Sequence, residues 1–258
     1  MSLQLAVDDG VATLTLSRPE AMNAIDPETR AELRGAWARI AADDSIRAVI
    51  LTGSGDKAFC TGSDLKKTMP PKESFAELTF GRSQSDHILA GMDIAQPIIC
   101  AINGHAIGGG LELALACDIR IAAENASFGL SEVRLGSIPG GGGTQRLPRT
   151  IGASSAMLLL LTGDRVDAQE ALRLGLVSQV TAPQDLIKTA TGIARRIAAN
   201  APLAVRAVKR LVREGMDMPL EGAIGLERYA FGLLRDTEDR IEGRRAFQEK
   251  RAPDFRGR

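Results

Sequence analysis

The chain opens on an alternation of apolar and polar positions. Leu3–Val7 and Val11–Leu16 flank Asp8-Asp9-Gly10, a pattern that predicts a β-hairpin turning at the Asp-Gly pair. The period then lengthens. Asp26 followed by Pro27 supplies an N-cap with proline in the first helical position, and Leu33, Trp37 and Ile40 recur at helical spacing, so a helix is expected to about Ala42. Short unbroken apolar runs follow at Ala48–Leu51 and Ile98–Ile102, each ending in a polar or glycine-rich turn (TGSGD, NGHAIGGG). A third run, Ile119–Ala123, comes after the apolar segment Leu111–Cys117. Runs without alternation, separated by helical segments, predict βαβ units and a parallel sheet buried on both faces.

From about Ala153 the pattern is mostly helical, with segments at Ser154–Leu161, Ala168–Leu174, Gln184–Ala199, Leu203–Arg213, Leu220–Leu234 and Thr237–Lys250. One short strand is expected at Leu176–Val180. The chain therefore divides into a β/α core over residues 1–195 and a helical appendage over 196–258. Terminal helices with apolar faces need a surface to cover, and that surface can belong to another subunit. Lys66–Gly81, with three lysines and a Pro-Pro pair, is expected to be a mobile loop.

Composition narrows the function. The 258 residues carry 32 basic and 32 acidic side chains, which gives no electrostatic ground for nucleic acid or an anionic membrane as partner. Cys60, Cys100 and Cys117 lack CxxC spacing and are odd in number, against a disulfide framework. With only His87 and His105 in addition, a metal site would need scattered ligands. The N-terminus has neither signal- nor transit-peptide character. The longest purely apolar run, Ala156–Leu161, is far below the about 20 residues that span a bilayer. A cytoplasmic protein is expected. If it is an acid–base enzyme, carboxylates carry the protons.

Glycine clusters at Gly53–Gly62, Gly104–Gly110 and Gly136–Gly143, and again at Gly163. In the first two, a buried strand empties into a glycine loop ahead of a helix, where free backbone N–H groups can face an anion or oxyanion. A tight packing turn fits the same letters. Signatures of other chemistries are absent: GxxxxGK[ST], GxGxxG and GxSxG do not occur. Glu112 stands inside the apolar LELALAC, where an inward carboxylate must be paired or functional. A position near a helix start, complementing the dipole or facing solvent, explains it equally well. Glu132 lies twenty residues on, in FGLSEVRLG, within reach of the same pocket through a helix, strand and return loop. Two carboxylates in a partly dry pocket split their pKa values into a donor and an acceptor.

AFCTGSDLK (58–66), AINGHAIGGGLELALACDIRIA (101–122), FGLSEVRLGSIPGGGGTQRLPR (128–149) and LTGDRVDAQEALRLGLV (161–177) together resemble the enoyl-CoA hydratase/isomerase, or crotonase, family. LSRPEAMNAI near the start and RRAFQEKRAPDF near the end fit it too. The resemblance runs from about Val11 to Phe255 and is weakest between Lys67 and Asp93.

The resemblance implies an α/β fold, a ββα spiral core over 1–195 with a C-terminal helical trimerisation region over 196–258, assembled as a homotrimer or a homohexamer. It implies an acyl-CoA thioester substrate, of the kind met in fatty acid β-oxidation. The enolate is stabilised by the backbone N–H groups of Ser63 and Gly109, whose fixed dipoles need no reorganisation. Members that hydrate a double bond keep glutamates at the positions of Glu112 and Glu132. There the pair holds one water, Glu132 gives a proton to the α-carbon and Glu112 assists attack at the β-carbon. No metal or redox cofactor is implied, because the thioester is the electron sink and coenzyme A is part of the substrate. Ser63, Asp64, Leu65, Lys66 and Gly109 match positions lining the thioester and pantetheine, with Lys66 placed for phosphate. Phe247 and Lys250 match positions that reach coenzyme A, often from a neighbouring subunit. Ser63 replaces the commoner alanine and Ser131 the commoner proline. Double-bond isomerisation or dehydration of a specialised hydroxyacyl-CoA would use the same scaffold; an RNA- or protein-binding module is disfavoured by the even charge.

Overall fold

The computed structural model describes residues 2–68 and 87–258. The N-terminal hairpin pairs β1 (Leu3–Asp8) with β2 (Val11–Leu16) in the register Leu3↔Leu16 to Asp8↔Val11. Asp9 and Gly10 both take positive φ, 45° and 74°, the requirement of a tight hairpin turn that follows the strand twist. Helix α1 (Pro27–Ala42) starts where Asp26 accepts the Thr29 N–H at 2.9 Å. It buries Leu33, Ala36, Trp37 and Ile40, the stripe that its periodicity predicts.

β2 leads into a parallel sheet with β3 (Ala48–Gly53), β5 (Ile98–Ile102), β7 (Ile119–Ala123) and β10 (Gln179–Thr181), in the order β1-β2-β3-β5-β7-β10. Its central strands are continuously apolar because each face meets a different cluster. Val49, Leu51, Ile98, Cys100 and Ile102 enter the larger core, while Ala48, Ile50, Ile99 and Ala101 pack on Leu186, Ala190 and Ala194 of a covering helix, Leu186–Ala198. The expected division at residue 195 falls inside this helix, whose last turn still buries Ala198.

A second sheet of four short strands, β4 (Ala58–Cys60), β6 (His105–Ile107), β8 (Ser127–Gly129) and β9 (Arg165–Asp167), lies beside the first in that order. β3–β4 leads to helix α2 (Leu65–Thr68), β5–β6 to α3 (Gly109–Ala116), and β7–β8 through a 3-10 turn to α4 (Gly143–Ile151). This is the expected ββα spiral. Three-residue strands are too short to show alternation, and none of the four was expected from pattern. α4 was not expected either, because Pro148 sits within it. The strand expected at Leu176–Val180 begins at Gln179. Leu176 and Val177 instead turn back on the preceding helix, both bonding to Ala171 C=O, and fill the core.

The other expected helices are present as Ala153–Thr162, Ala168–Arg173, Pro202–Gly215, Leu220–Leu234 and Glu238–Glu249. Pro202–Gly215 is tied to the core by Lys209, whose ammonium meets Asp118 at 2.8 Å and the Gln96 carbonyl at 2.7 Å. Beyond Thr68, the loop expected at Lys66–Gly81 lies outside the described residues.

Candidate active site

Two glycine positions bring the ββα turns together. A Cβ on Gly110 would fall 2.0 Å from the Cys60 carbonyl oxygen, so only glycine lets α3 start against β4. Gly62, at φ +83°, lies so close that a Cβ there would be 2.8 Å from Gly109 N. The turn after β4 and the start of α3 are therefore side by side, with Ser63 next to Gly109. Gly109 opens α3, and the first N–H groups of a helix have no acceptor within it. Ser63 bridges Ile25 in parallel fashion through the Gly62 carbonyl and the Asp64 N–H, which turns its own N–H to the opposite side. Neither the Ser63 nor the Gly109 N–H donates a hydrogen bond among the described residues.

The carboxylates flank this pair. Glu112, one turn into α3, is 4% exposed. Its Oε1 accepts the N–H groups of Gly141 at 2.7 Å and Gly143 at 2.8 Å. Gly143 opens α4, so the positive end of that helix faces the carboxylate. Spacing alone left Glu112 between a functional and a bland position; burial and these two donors exclude the solvent-facing one. Glu132 heads the 3-10 turn Glu132–Leu135. Its Oε1 lies 3.2 Å from where a Gly108 Cβ would stand, and its Oε2 is buried without a partner among the described residues. Burial pushes the Glu132 carboxyl above its ordinary value, and the charge of Glu112 adds to the rise. Helix α3 thus carries Gly109 and Glu112 on its first turn, with Glu132 against the residue that precedes it.

The remaining sequence-named positions separate. Leu65 and Lys66 are exposed on α2, at the rim of the Ser63 turn. The Asp64 carboxylate is taken up by Arg18 at 3.0 Å, leaving backbone as what it can present to a ligand. Phe247, 86% exposed, and Lys250, in the left-handed conformation that ends the last helix, have no hydrogen bond or ion pair to the pocket among the described residues. Ser131 precedes the 3-10 turn and its carbonyl accepts the Arg134 N–H. His105 is held by the Ser127 hydroxyl at 2.8 Å, and His87 Nδ1 accepts the Leu89 N–H. All three cysteines are buried, and burial pushes the Cys60 thiol up to about 12, so it stays protonated at neutral pH.

Four contributors were not found from sequence. Gly141 and Gly143 anchor Glu112; the glycine run was visible, but nothing in its letters pointed back to a carboxylate 29 positions earlier. Arg146 donates to the Gly141 carbonyl at 2.8 Å and packs where a Gly142 side chain would be. Ile88 covers Gly109, its Cδ1 3.0 Å from an added Cβ, and falls in the stretch where the family resemblance fades. Among the described residues no cluster of His, Cys, Asp or Glu could hold a metal ion, and no helix is long and apolar enough to cross a membrane.

Residues 6–258 match the enoyl-CoA hydratase/isomerase family. The chain is 52% identical over 257 residues to (E)-benzylidenesuccinyl-CoA hydratase of Thauera aromatica, covering 100% of both. It is 42% identical over 251 residues to crotonyl-CoA hydratase of Syntrophomonas wolfei, covering 97% of this chain and 96% of that one. The crystal structure of an enoyl-CoA hydratase from Bacillus anthracis superposes with a TM-score of 0.94 at 40% identity, covering 100% of both chains. Sequence, fold and order of elements agree along the whole length, and the chain belongs to the enoyl-CoA hydratase/isomerase family as an enzyme of the lyase class.

Proposed function

We propose that the chain is an enoyl-CoA hydratase, adding water reversibly and syn across a trans-2-enoyl-CoA to give a 3-hydroxyacyl-CoA. The thioester oxygen sits between the N–H groups of Ser63 and Gly109, which stabilise the enolate as it forms. Glu112 and Glu132 hold one water. Its oxygen bonds to the β-carbon, Glu132 protonates the α-carbon, and the proton lost by the water returns to the carboxylate pair. The observation that carries this reading is the Oε2 of Glu132, buried and without a partner among the described residues, beside a second carboxylate locked by two N–H donors. Burial keeps a proton on Glu132 to higher pH, as a donor needs, while Glu112 Oε1 is fixed as an acceptor. No further cofactor enters, since the thioester accepts the charge.

Glu132→Gln and Glu112→Gln should each lower turnover about a hundred- to ten-thousandfold with binding retained. Near-normal hydration by either variant would refute the assignment. Relatives named for crotonyl-CoA and (E)-benzylidenesuccinyl-CoA direct the substrate search to short-chain thioesters and to aryl thioesters bearing a free carboxylate. A panel adding medium- and long-chain thioesters, followed by loss of the conjugated absorbance, ranks them. In this reading Lys66 meets a coenzyme A phosphate, and Phe247 and Lys250 meet coenzyme A from a neighbouring subunit. A homotrimer or homohexamer is supported by the helices Pro202–Gly215 and Leu220–Leu234. They bury no residue fully and leave Leu220, Tyr229, Phe231 and Leu233 exposed. Light scattering giving a monomer mass would refute assembly. Zero net charge and free, buried cysteines support a cytoplasmic enzyme without a nucleic-acid partner.

A further inference from the structure

The peptide of Ser63 is flanked by a compact charge network that the reaction itself does not use. Ile25 N–H donates to the Gly62 carbonyl at 2.8 Å, and Asp64 N–H donates to the Ile25 carbonyl at 3.0 Å. The segment Ile25–Asp26 thus sets where the Ser63 peptide lies. Asp26 fixes that segment to α1, accepting the Thr29 N–H and, at 2.7 Å, its hydroxyl on Oδ1. On Oδ2 it accepts Lys67 Nζ at 2.6 Å and lies 3.2 Å from Arg18 Nη1. The same guanidinium donates to the Ala24 carbonyl at 2.7 Å and, through Nη2, to Asp64 at 3.0 Å.

Arg18 therefore joins the strand segment before α1 to the residue after Ser63, and Lys67 joins it to α2. The side chains of Asp26, Asp64 and Arg18 are 3%, 13% and 14% exposed, and Lys67 is 51% exposed. Two cations and two anions sum to zero, so the cluster adds little net field at the thioester oxygen. What it supplies is geometry. Donors act on a developing oxyanion only when held about 2.7–3.1 Å from its position before it forms. A tie serving only the start of α1 would stop at Asp26 and Thr29; this one extends to both neighbours of Ser63.

We propose that Arg18, Asp26, Asp64 and Lys67 are positioning residues that hold the Ser63 N–H in register with the Gly109 N–H. Arg18 is the central member because, of the two cations, it is the one that reaches both carboxylates. The inference rests on the reading that these two peptides receive the thioester oxygen. Burial alone would raise the Asp26 carboxyl, but the Lys67 ammonium, Thr29 and Arg18 outweigh it and hold it well below the usual carboxylate range. The contribution of a lowered carboxyl is present above its unfolded value and lost only as pH falls through the folded one, so Asp26 stays ionised across any neutral assay.

The test compares Arg18→Met, Arg18→Lys and Lys67→Met in the full chain. Two quantities are read: kcat and KM for hydration, and the shift to longer wavelength of a bound aryl enoyl-CoA, which reports polarisation of its carbonyl. Arg18→Met should lower kcat about ten- to a hundredfold, part of what a whole lost donor removes, with KM within about threefold, and should shrink the red shift. Arg18→Lys should recover part of both, since an ammonium reaches one carboxylate but not two. Lys67→Met, at the exposed end, should show the same change on a smaller scale. A folded Arg18→Met protein with unchanged red shift would overturn the proposal, whether or not kcat falls. Should Arg18→Met fail to fold, an unchanged red shift in Lys67→Met overturns it equally. A wild-type protein that polarises the thioester without hydrating it sinks the hydratase reading alone; one that does not polarise it sinks both.

Discussion

Gly108 is the residue on which the site's geometry converges, and replacing it with alanine separates backbone strain from loss of chemistry. Its φ of 55° and ψ of −128° lie outside the left-handed region that other residues can visit. An L-residue there costs on the order of 1–3 kcal/mol, which for a chain of this size lowers Tm by roughly 2–10 °C. The added Cβ would also stand 3.2 Å from Glu132 Oε1 and 3.7 Å from its carboxyl carbon, so the carboxylate must give by a few tenths of an ångström. Displacements of about 1 Å from reactive geometry cost about a hundredfold; a fall in kcat of roughly five- to thirtyfold is expected. Gly152 is the control. It has φ 81° and ψ 155°, with nothing within 4 Å of an added Cβ, so Gly152→Ala should lower Tm comparably and leave kcat unchanged. Thermal unfolding followed by circular dichroism, beside initial hydration rates at 25 °C, reads both. Equal kcat for the two variants would refute the placement of Glu132 against Gly108.

The raised Glu132 carboxyl gives a signed pH dependence: its contribution to stability is fully present below its unfolded value and is lost as pH rises through the folded one. Glu132→Gln should therefore gain in Tm relative to wild type as pH goes from 4 to 8, and a constant difference would contradict the burial argument. Wild-type hydration should decline as pH rises through the same transition, because the donor loses its proton. Lys209→Met strands the Asp118 carboxylate and the Gln96 carbonyl, and should destabilise the fold by about 3 kcal/mol in urea unfolding; a change under about 1 kcal/mol would show that Lys209 does not tie the helix down. Cys60 should resist iodoacetamide in the native protein and react once urea exposes it; rapid native labelling would contradict its burial.

What the sequence makes legible follows from element length and from which face is covered. Ile98–Ile102 coincides with an observed strand because both faces are covered and the apolar run is unbroken; Ile119–Ala123 does so although Arg120 interrupts it, the guanidinium donating to the Leu176 and Cys117 carbonyls. Leu220–Leu234 coincides with its helix over four turns of periodicity. Ala58–Cys60 and Ser127–Gly129 have no length over which a period could show, yet they place Ser63 and Glu132. The family motifs named Glu112, but its chemistry is set by Gly141 and Gly143, brought close by a return of the chain that local pattern does not encode. Arg18 and Asp64 are likewise 46 positions apart, and their pairing is visible only in the fold.

In the proposed reaction two carboxylates add water across a double bond held by two peptide donors. Mass spectrometry of the product formed from a trans-2-enoyl-CoA in heavy-oxygen water, by wild type and by Glu132→Gln, tests it most directly. The wild type should give a 3-hydroxyacyl-CoA carrying one labelled oxygen at the β-carbon, and Glu132→Gln should slow the reaction at least a hundredfold. An unlabelled, isomerised product, or labelled product formed by Glu132→Gln at the wild-type rate, would contradict it.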